Sequence, residues 1–303
     1  MSKPPSPSPF RDDLAKTGFT IQRSLLTPSE LATLRAAASR TTALARAGAW
    51  PHVRTVGKQF PPWPSPASAE DGIWGVQGLL HPSLPDAGVY ADAYFSDAVL
   101  GVAKQILGCG DGDLVMELCN LLVRPEQDFR LSWHRDDVPA EAGPEEEARR
   151  LGQSTYWHTQ WNLALYADAS LVVVPGSHAR VRTPAERAAG PDAGDMPGQV
   201  VVELQPGDAV FYDNNILHRG VYSAGVERMS LHGSVGRVGG GAFRARNVLQ
   251  HGVGEWVDRC DFSGLAEGRG EEGERIRRRA EGMRDRLVKL GRESGDVGYS
   301  LTG

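Results

Sequence analysis

Gln205-Pro-Gly-Asp-Ala-Val-Phe-Tyr-Asp-Asn-Asn-Ile-Leu-His218-Arg-Gly-Val-Tyr-Ser-Ala-Gly-Val-Glu-Arg228 is the stretch on which the fold turns. Pro206-Gly207 is a turn signal, 209–212 is a short apolar run, and Asp213-Asn-Asn215 is polar enough for a loop. The stretch reads as turn, strand, loop, strand. His218 follows one strand and Arg228 opens the next, ten residues later. On adjacent antiparallel strands both side chains would enter one cavity.

Further strand-like segments lie at 114–124, 129–133, 159–167, 171–174, 200–204 and 229–235. The 159–167 segment alternates, with Thr159, Trp161, Leu163 and Leu165 on one face and Gln160, Asn162, Ala164 and Tyr166 on the other. Many short strands without helices between them imply a mainly β sandwich or barrel. Helices flank it. One runs into a strand over 13–23, a second opens on the capping box Thr27-Pro-Ser-Glu30, and a third covers 87–107. A fourth covers 271–292, with Ile276, Ala280, Met283, Leu287 and Leu290 on one face and a mixed-charge, solvated opposite face. Residues 1–9 read as a disordered Pro/Ser tail, 49–72 (five prolines) as a loop, 138–155 as a helical lid and 183–198 as a mobile loop.

Composition narrows the function. A net charge of −5 argues against a nucleic-acid binder. Three cysteines (Cys109, Cys119, Cys260), none in a C-x-x-C pair, argue against a disulfide framework or a thiolate zinc site. There is no apolar run suited to a signal peptide or a membrane span, and the last three residues are not a peroxisomal address, so the expected setting is cytoplasmic.

His134 and Asp136 form an H-x-D pair, and side chains two residues apart on extended backbone point the same way. With a second histidine, His218, they make the two-imidazole, one-carboxylate set that suits iron(II) and leaves coordination positions open. H-x-D alone arises readily by chance among eight histidines. The weight comes from His218 and Arg228 following in order.

Gly18-Phe-Thr-Ile21, Leu26-Thr-Pro-Ser-Glu30, His134-Arg-Asp136, Leu171-Val-Val-Val-Pro-Gly-Ser-His178 and the 206–228 stretch together resemble the phytanoyl-CoA dioxygenase family of iron(II) and 2-oxoglutarate oxygenases. The resemblance implies a double-stranded β-helix (jelly roll, cupin-like) with flanking helices. It implies a single oxygenase domain over 10–255 and a C-terminal helical extension, 256–303, packed on it. It also implies Fe(II), with 2-oxoglutarate and O2 as co-substrates, and hydroxylation of a small molecule with release of succinate and CO2. His134, Asp136 and His218 would hold the metal, and Arg228 would bind the far carboxylate of 2-oxoglutarate, which a guanidinium grips bidentately. Trp161 is the expected co-substrate-contacting aromatic, with Asn120 and Thr159 as further contacts. Lys58, Gln59, Trp74, Gln77, Trp133 and Trp157 are candidates for the substrate wall.

Two features depart from the family pattern. Tyr166-Ala-Asp-Ala-Ser-Leu171 is shorter than the usual Glu-Asn-Gly turn, and the 138–155 insertion is added. Asp136 argues against halogenation, which goes with loss of the carboxylate ligand. The alternatives are a cupin-type metalloenzyme that does not use 2-oxoglutarate, and a non-catalytic binding module. Arg228 speaks against the first, the triad against the second. No coenzyme A motif is present, so the expected substrate is a free small molecule.

Overall fold

The computed structural model describes residues 8–59, 72–153, 156–249 and 252–295. Two antiparallel sheets face each other. The larger contains seven strands in the order β1-β9-β6-β11-β4-β3-β2 and the smaller four in the order β5-β10-β7-β8. The strands of the larger are β1 (Phe19–Gln22), β2 (Val53–Thr55), β3 (Ile73–Val76), β4 (Leu114–Val123), β6 (His158–Ala164), β9 (Ala209–Tyr212) and β11 (Met229–Arg237). Those of the smaller are β5 (Phe129–Arg130), β7 (Asp168–Val173), β8 (Val200–Leu204) and β10 (His218–Tyr222). This is the jelly-roll arrangement expected.

The outer face of the large sheet is covered by α1 (Pro9–Thr17), α2 (Pro28–Arg46), α3 (Ala87–Tyr94), α4 (Asp97–Leu107) and α8 (Gly270–Ser294). Alternation along each strand decides which residues meet them. Trp161 and Leu163 pack with Leu121, Leu231, Tyr94 and Ile106 in the main core, whereas Ala164 and Val210 face inward against Leu171 and Val173. Thr27 and Glu30 form the anticipated capping box at α2. In α8 the five apolar positions, Ile276 through Leu290, are all buried. The four larger side chains, Ile276, Met283, Leu287 and Leu290, each contribute about 1.5–3 kcal/mol over an exposed one, which fixes this helix to the domain.

Several expectations change. His218 and Arg228 do not lie on neighbouring strands. β10 belongs to the small sheet and β11 to the large one, so segment 223–228 crosses the sandwich and the two residues meet from opposite walls. The 87–107 helix is broken in two because Ser96 caps α4, its hydroxyl accepting from the Val99 N–H. Residue Pro9 starts α1 instead of ending a tail, and 1–7 lie outside the described residues. The 49–72 segment contains β2, and its remainder from 60 to 71 lies outside them too.

The 183–198 segment includes a capped helix, α6 (Pro184–Ala189), in which Thr183 and Glu186 repeat the capping box. Two arginines of the basic run in α8 pair with Asp97 of α4, Arg279 buried and Arg275 still partly exposed. The insertion contains α5 (Pro144–Gln153), which is anchored by Glu147. That buried carboxylate accepts hydrogen bonds from Arg135, Arg182 and Arg187. No helix among the described residues is long and apolar enough to cross a membrane.

Candidate active site

His134 and His218 face each other as an isolated antiparallel bridge, each backbone N–H donating to the other's carbonyl at 3.0 Å. This pairing sets their rings 4.3 Å apart. The Nδ1 of His134 lies 2.8 Å from the Ser132 carbonyl and that of His218 lies 2.8 Å from the Ile216 carbonyl. A carbonyl can only accept, so Nδ1 carries the hydrogen in both rings and both Nε2 atoms present lone pairs. They converge on Asp136 Oδ1, at 3.5 and 3.8 Å. Among the described residues His134, Asp136 and His218 are the one group whose ligand atoms all lie within 4.8 Å of one another.

The loop carrying these ligands is itself held. The Asp136 N–H donates to the Asn214 carbonyl, and Asp137 accepts from the amides of Asn214 and Asn215 at 2.7 and 3.1 Å. Gln160 Nε2 donates to Asp136 Oδ2 at 2.5 Å, leaving Oδ1 toward the histidines. Burial pushes both imidazoles down to about 4 and the Asp136 carboxyl up to about 6. Asp136 keeps 32% of its side-chain surface open, yet it lies deep enough in protein for desolvation to dominate. At neutral pH the trio is two neutral imidazoles and a carboxylate, the protonation state a divalent cation requires. The donor set therefore fits iron(II).

Arg228 stands at the far end of the interior, buried, immediately before β11. Its Nε donates to Asp168 Oδ2 at 3.1 Å and its guanidinium lies 4.3 Å from the centre of the Tyr222 ring. Its Nη1 is buried without a hydrogen-bond partner. Burial alone would raise the Asp168 carboxyl, but Arg228, Ser170 and Ser230 outweigh it and hold it below the usual range. An acid thus fixes the guanidinium from behind while a donor edge stays unused.

Between the two ends runs a polar row facing inward, Asn120–His232–Asn162, in register across β4, β11 and β6. The Asn120 carbonyl oxygen accepts from the Gly78 N–H at 3.2 Å, and its Nδ2 is buried without a partner. Arg54 of β2 is a further buried cation near Asp136, Tyr212 and Tyr222, its guanidinium 5.1 Å from the Trp74 ring centre.

The structure corrects several site assignments. Trp161 and Thr159 share the strand face opposite Gln160. Trp161 is fully buried, 6.0 Å from the Tyr94 ring on the helix side, so neither residue reaches the metal row, and Gln160 and Asn162 take that position. Trp133 packs against Val172, Val174 and Leu217 on the outer side of the small sheet, away from the ligands. Lys58 is exposed, and its carbonyl accepts a hydrogen bond from Trp74 Nε1 at 3.3 Å.

Gln59 brackets Ser132, accepting its N–H at 2.7 Å, so it supports the ligand loop. The Gln77 backbone pairs with His52 and Trp50, and Trp74 stacks on Tyr222 inside the sandwich. Trp157 sits against Gly239 and Gly240, beside Arg244. His178 packs against Gly18 in the turn, apart from the ligand group. Gln160, Asp168, Arg54 and the Glu117–Arg244 pair were not anticipated. The strand alternation pointed to Gln160 once the inward face was known.

The sequence matches the family model "Phytanoyl-CoA dioxygenase (PhyH)" over residues 14–223. No curated protein matches it. Among solved structures, EctD from S. alaskensis with 2-oxoglutarate and 5-hydroxyectoine is 18% identical, with a TM-score of 0.54 over 76% of each chain. AviO1 from Streptomyces viridochromogenes Tue57 is 20% identical, with a TM-score of 0.52 over 75% of this chain and 93% of that one. The epimerase SnoN, in complex with Fe3+, alpha ketoglutarate and nogalamycin RO, is 15% identical, with a TM-score of 0.50 over 75% of this chain and 82% of that one. At these identities the likeness is one of fold, while the family match spans more than two thirds of the chain. The chain belongs to the phytanoyl-CoA dioxygenase family, and so to the non-haem iron, 2-oxoglutarate-dependent enzymes.

Proposed function

We propose that the protein hydroxylates a C–H bond of a small organic molecule, with His134, Asp136 and His218 holding iron(II) and Arg228 holding the distal carboxylate of 2-oxoglutarate. Succinate and CO2 are the co-products. The observation that carries the reading is the pairing of the converging triad with the buried, unpartnered Nη1 of Arg228 at the other end of one interior. Arg228 lies beyond residue 223, the last residue matched by the family model, so its role rests on this geometry.

Bound iron supplies the activation of dioxygen that C–H oxidation needs. The chain's own residues do the positioning. The Ser132 and Ile216 carbonyls hold Nδ1–H of the two ligand histidines, and Gln160 holds the outer oxygen of Asp136. Asp168 orients Arg228 so that its second edge meets a carboxylate. Asn120 Nδ2 offers a buried donor to a bound oxygen atom. Asp136 would supply the third ligand, the carboxylate that is missing where a halide binds, which favours hydroxylation over halogenation.

The test is succinate formation on incubation with Fe(II), 2-oxoglutarate and candidate substrates under labelled O2. Succinate that depends on iron and disappears in His134→Ala, with one labelled oxygen in the product, is expected. Succinate formation that persists in His134→Ala would sink the assignment of the site. A product isomeric with its substrate would replace hydroxylation by epimerisation.

A further inference from the structure

Glu117 of β4 and Arg244 of α7 (Gly241–Leu249) form a buried ion pair that the reading above leaves unused. Arg244 Nε donates to Glu117 Oε1 at 2.9 Å and Nη2 to Oε2 at 2.7 Å, with side-chain exposures of 7% and 1%. Desolvating two charges offsets much of their attraction, so such a pair is weak evidence of a purely stabilising role.

Its position is informative. The Glu117 carboxylate lies over Gly236, where a Cβ would fall 2.2 Å from Oε1. Gly236 is the register partner of His158, and two residues along the same strand face Gln160 holds Asp136. The charge of Arg244 is felt by Asp136, Asp137 and His158. Running the other way along β11 leads from the metal row to His232, Ser230 and Arg228. The metal row therefore stands between two buried arginines, each fixed through Nε by a buried acid, Arg228 by Asp168 and Arg244 by Glu117.

The chain is shaped around the second arginine. A Cβ on Gly240 would fall 2.3 Å from Arg244 Cγ, and one on Gly239 would fall 2.2 Å from the Trp157 ring. Only glycine lets the backbone lie this close to both side chains.

We propose that the Glu117–Arg244 pair anchors the primary substrate, and that this substrate is a small carboxylate. The inference rests on the reading of the Arg228 end as the 2-oxoglutarate end, which leaves the Arg244 end to the molecule being oxidised. Glu117 occupies the Nε and Nη2 edge and fixes the guanidinium plane, leaving Nη1 for a ligand. A guanidinium stays charged at every working pH and matches two planar oxygens, so an acid is preferred to its neutral isostere.

The test uses the nickel(II)-loaded full chain saturated with 2-oxoglutarate. Calorimetric titrations with L-valine, butyrate, benzoate and octanoate are each compared with the corresponding primary amide. The best-bound acid is expected to outbind its amide by at least about tenfold, the value of one charge-assisted contact. In the Glu117→Gln/Arg244→Gln double variant, which leaves no unpaired buried charge, that preference should vanish while 2-oxoglutarate still loads and the circular dichroism melt stays cooperative. A panel in which no acid outbinds its amide, or a preference that survives the double variant, overturns the inference. If wild-type protein takes up no 2-oxoglutarate in the loading step, the functional reading falls and this inference with it.

Discussion

Glu147→Gln removes one negative charge from a cluster that joins α5 to the metal-binding loop. The buried carboxylate accepts from Arg135 Nε at 3.0 Å, from Arg182 Nε at 3.0 Å, from the Arg182 backbone N–H at 3.1 Å and from Arg187. The Arg135 side chain is 2% exposed and has no route to water. Breaking a buried pair by removing one partner costs about 3–5 kcal/mol. Glutamine keeps one acceptor oxygen, and Arg187, with 27% of its side chain exposed, relaxes toward solvent, so the lower end applies, about 3 kcal/mol.

At about 2 °C per kcal/mol for a domain of this size, the melting point should fall by roughly 6 °C. Arg135 lies between His134 and Asp136 in the chain and donates to the carbonyls of Ser177, Asn215 and Arg180. Loosening it should therefore also weaken metal binding by about tenfold, the usual cost of disturbing residues behind the ligands. Urea unfolding of the metal-free protein and a chelator competition with nickel(II) measure the two effects. A stability loss below about 1 kcal/mol, well under the floor for a broken buried pair, refutes the energetic reasoning. Unchanged metal affinity beside a clear stability loss refutes the coupling to the ligand loop.

Other perturbations separate the parts of the site. Arg228→Gln/Asp168→Asn, which removes both charges together, should fold and bind nickel(II) but lose 2-oxoglutarate affinity by at least about tenfold in calorimetry; retained affinity would displace Arg228 from its role. Metal uptake by the free protein should weaken by about tenfold per pH unit as pH falls below about 6, because Asp136 must lose a proton, and more steeply below about 4 as the imidazoles charge; uptake that is flat between pH 7 and 5 would contradict this. Trp161→Phe should lower stability by about 1–2 kcal/mol in urea unfolding and leave 2-oxoglutarate affinity within about twofold, since the indole faces the helices; a large loss of affinity would return Trp161 to the cavity. Gly233→Ala should destabilise by about 1–3 kcal/mol, its Cβ meeting the Trp161 ring at 2.2 Å.

The parts of the site that were legible in the sequence are those fixed by local spacing. H-x-D on an extended segment sends His134 and Asp136 the same way whatever surrounds them. The two-residue alternation of β6 likewise separated Trp161 from Gln160 correctly. Which face looked inward was not decidable there, because the strand is covered on both sides and its polar face, with Gln160 and Asn162, is as buried as the face with Trp161 and Leu163, although in sequence it reads like a solvated one. An aromatic side chain then drew attention that belonged to the amide.

The link between His218 and Arg228 suggested a hairpin because it is short. In the structure that same length carries the chain from one sheet to the other. Arg54 sits on a three-residue strand inside a proline-rich stretch, where no periodicity could accumulate. Glu117 and Arg244 are 127 residues apart and belong to different layers, so only the packed structure brings them together.

On the proposed function, one interior binds iron(II) at the triad and 2-oxoglutarate between that metal and Arg228. The most direct measurement is an anaerobic titration of metal-free protein with Fe(II) and then 2-oxoglutarate, following the visible charge-transfer absorption that chelation produces. Wild-type protein should develop the band at one 2-oxoglutarate per iron. His218→Ala should abolish it, and Arg228→Gln/Asp168→Asn should keep the iron while requiring far more 2-oxoglutarate. An iron-loaded wild-type protein that develops no band, or a band undiminished in His218→Ala, would contradict the account.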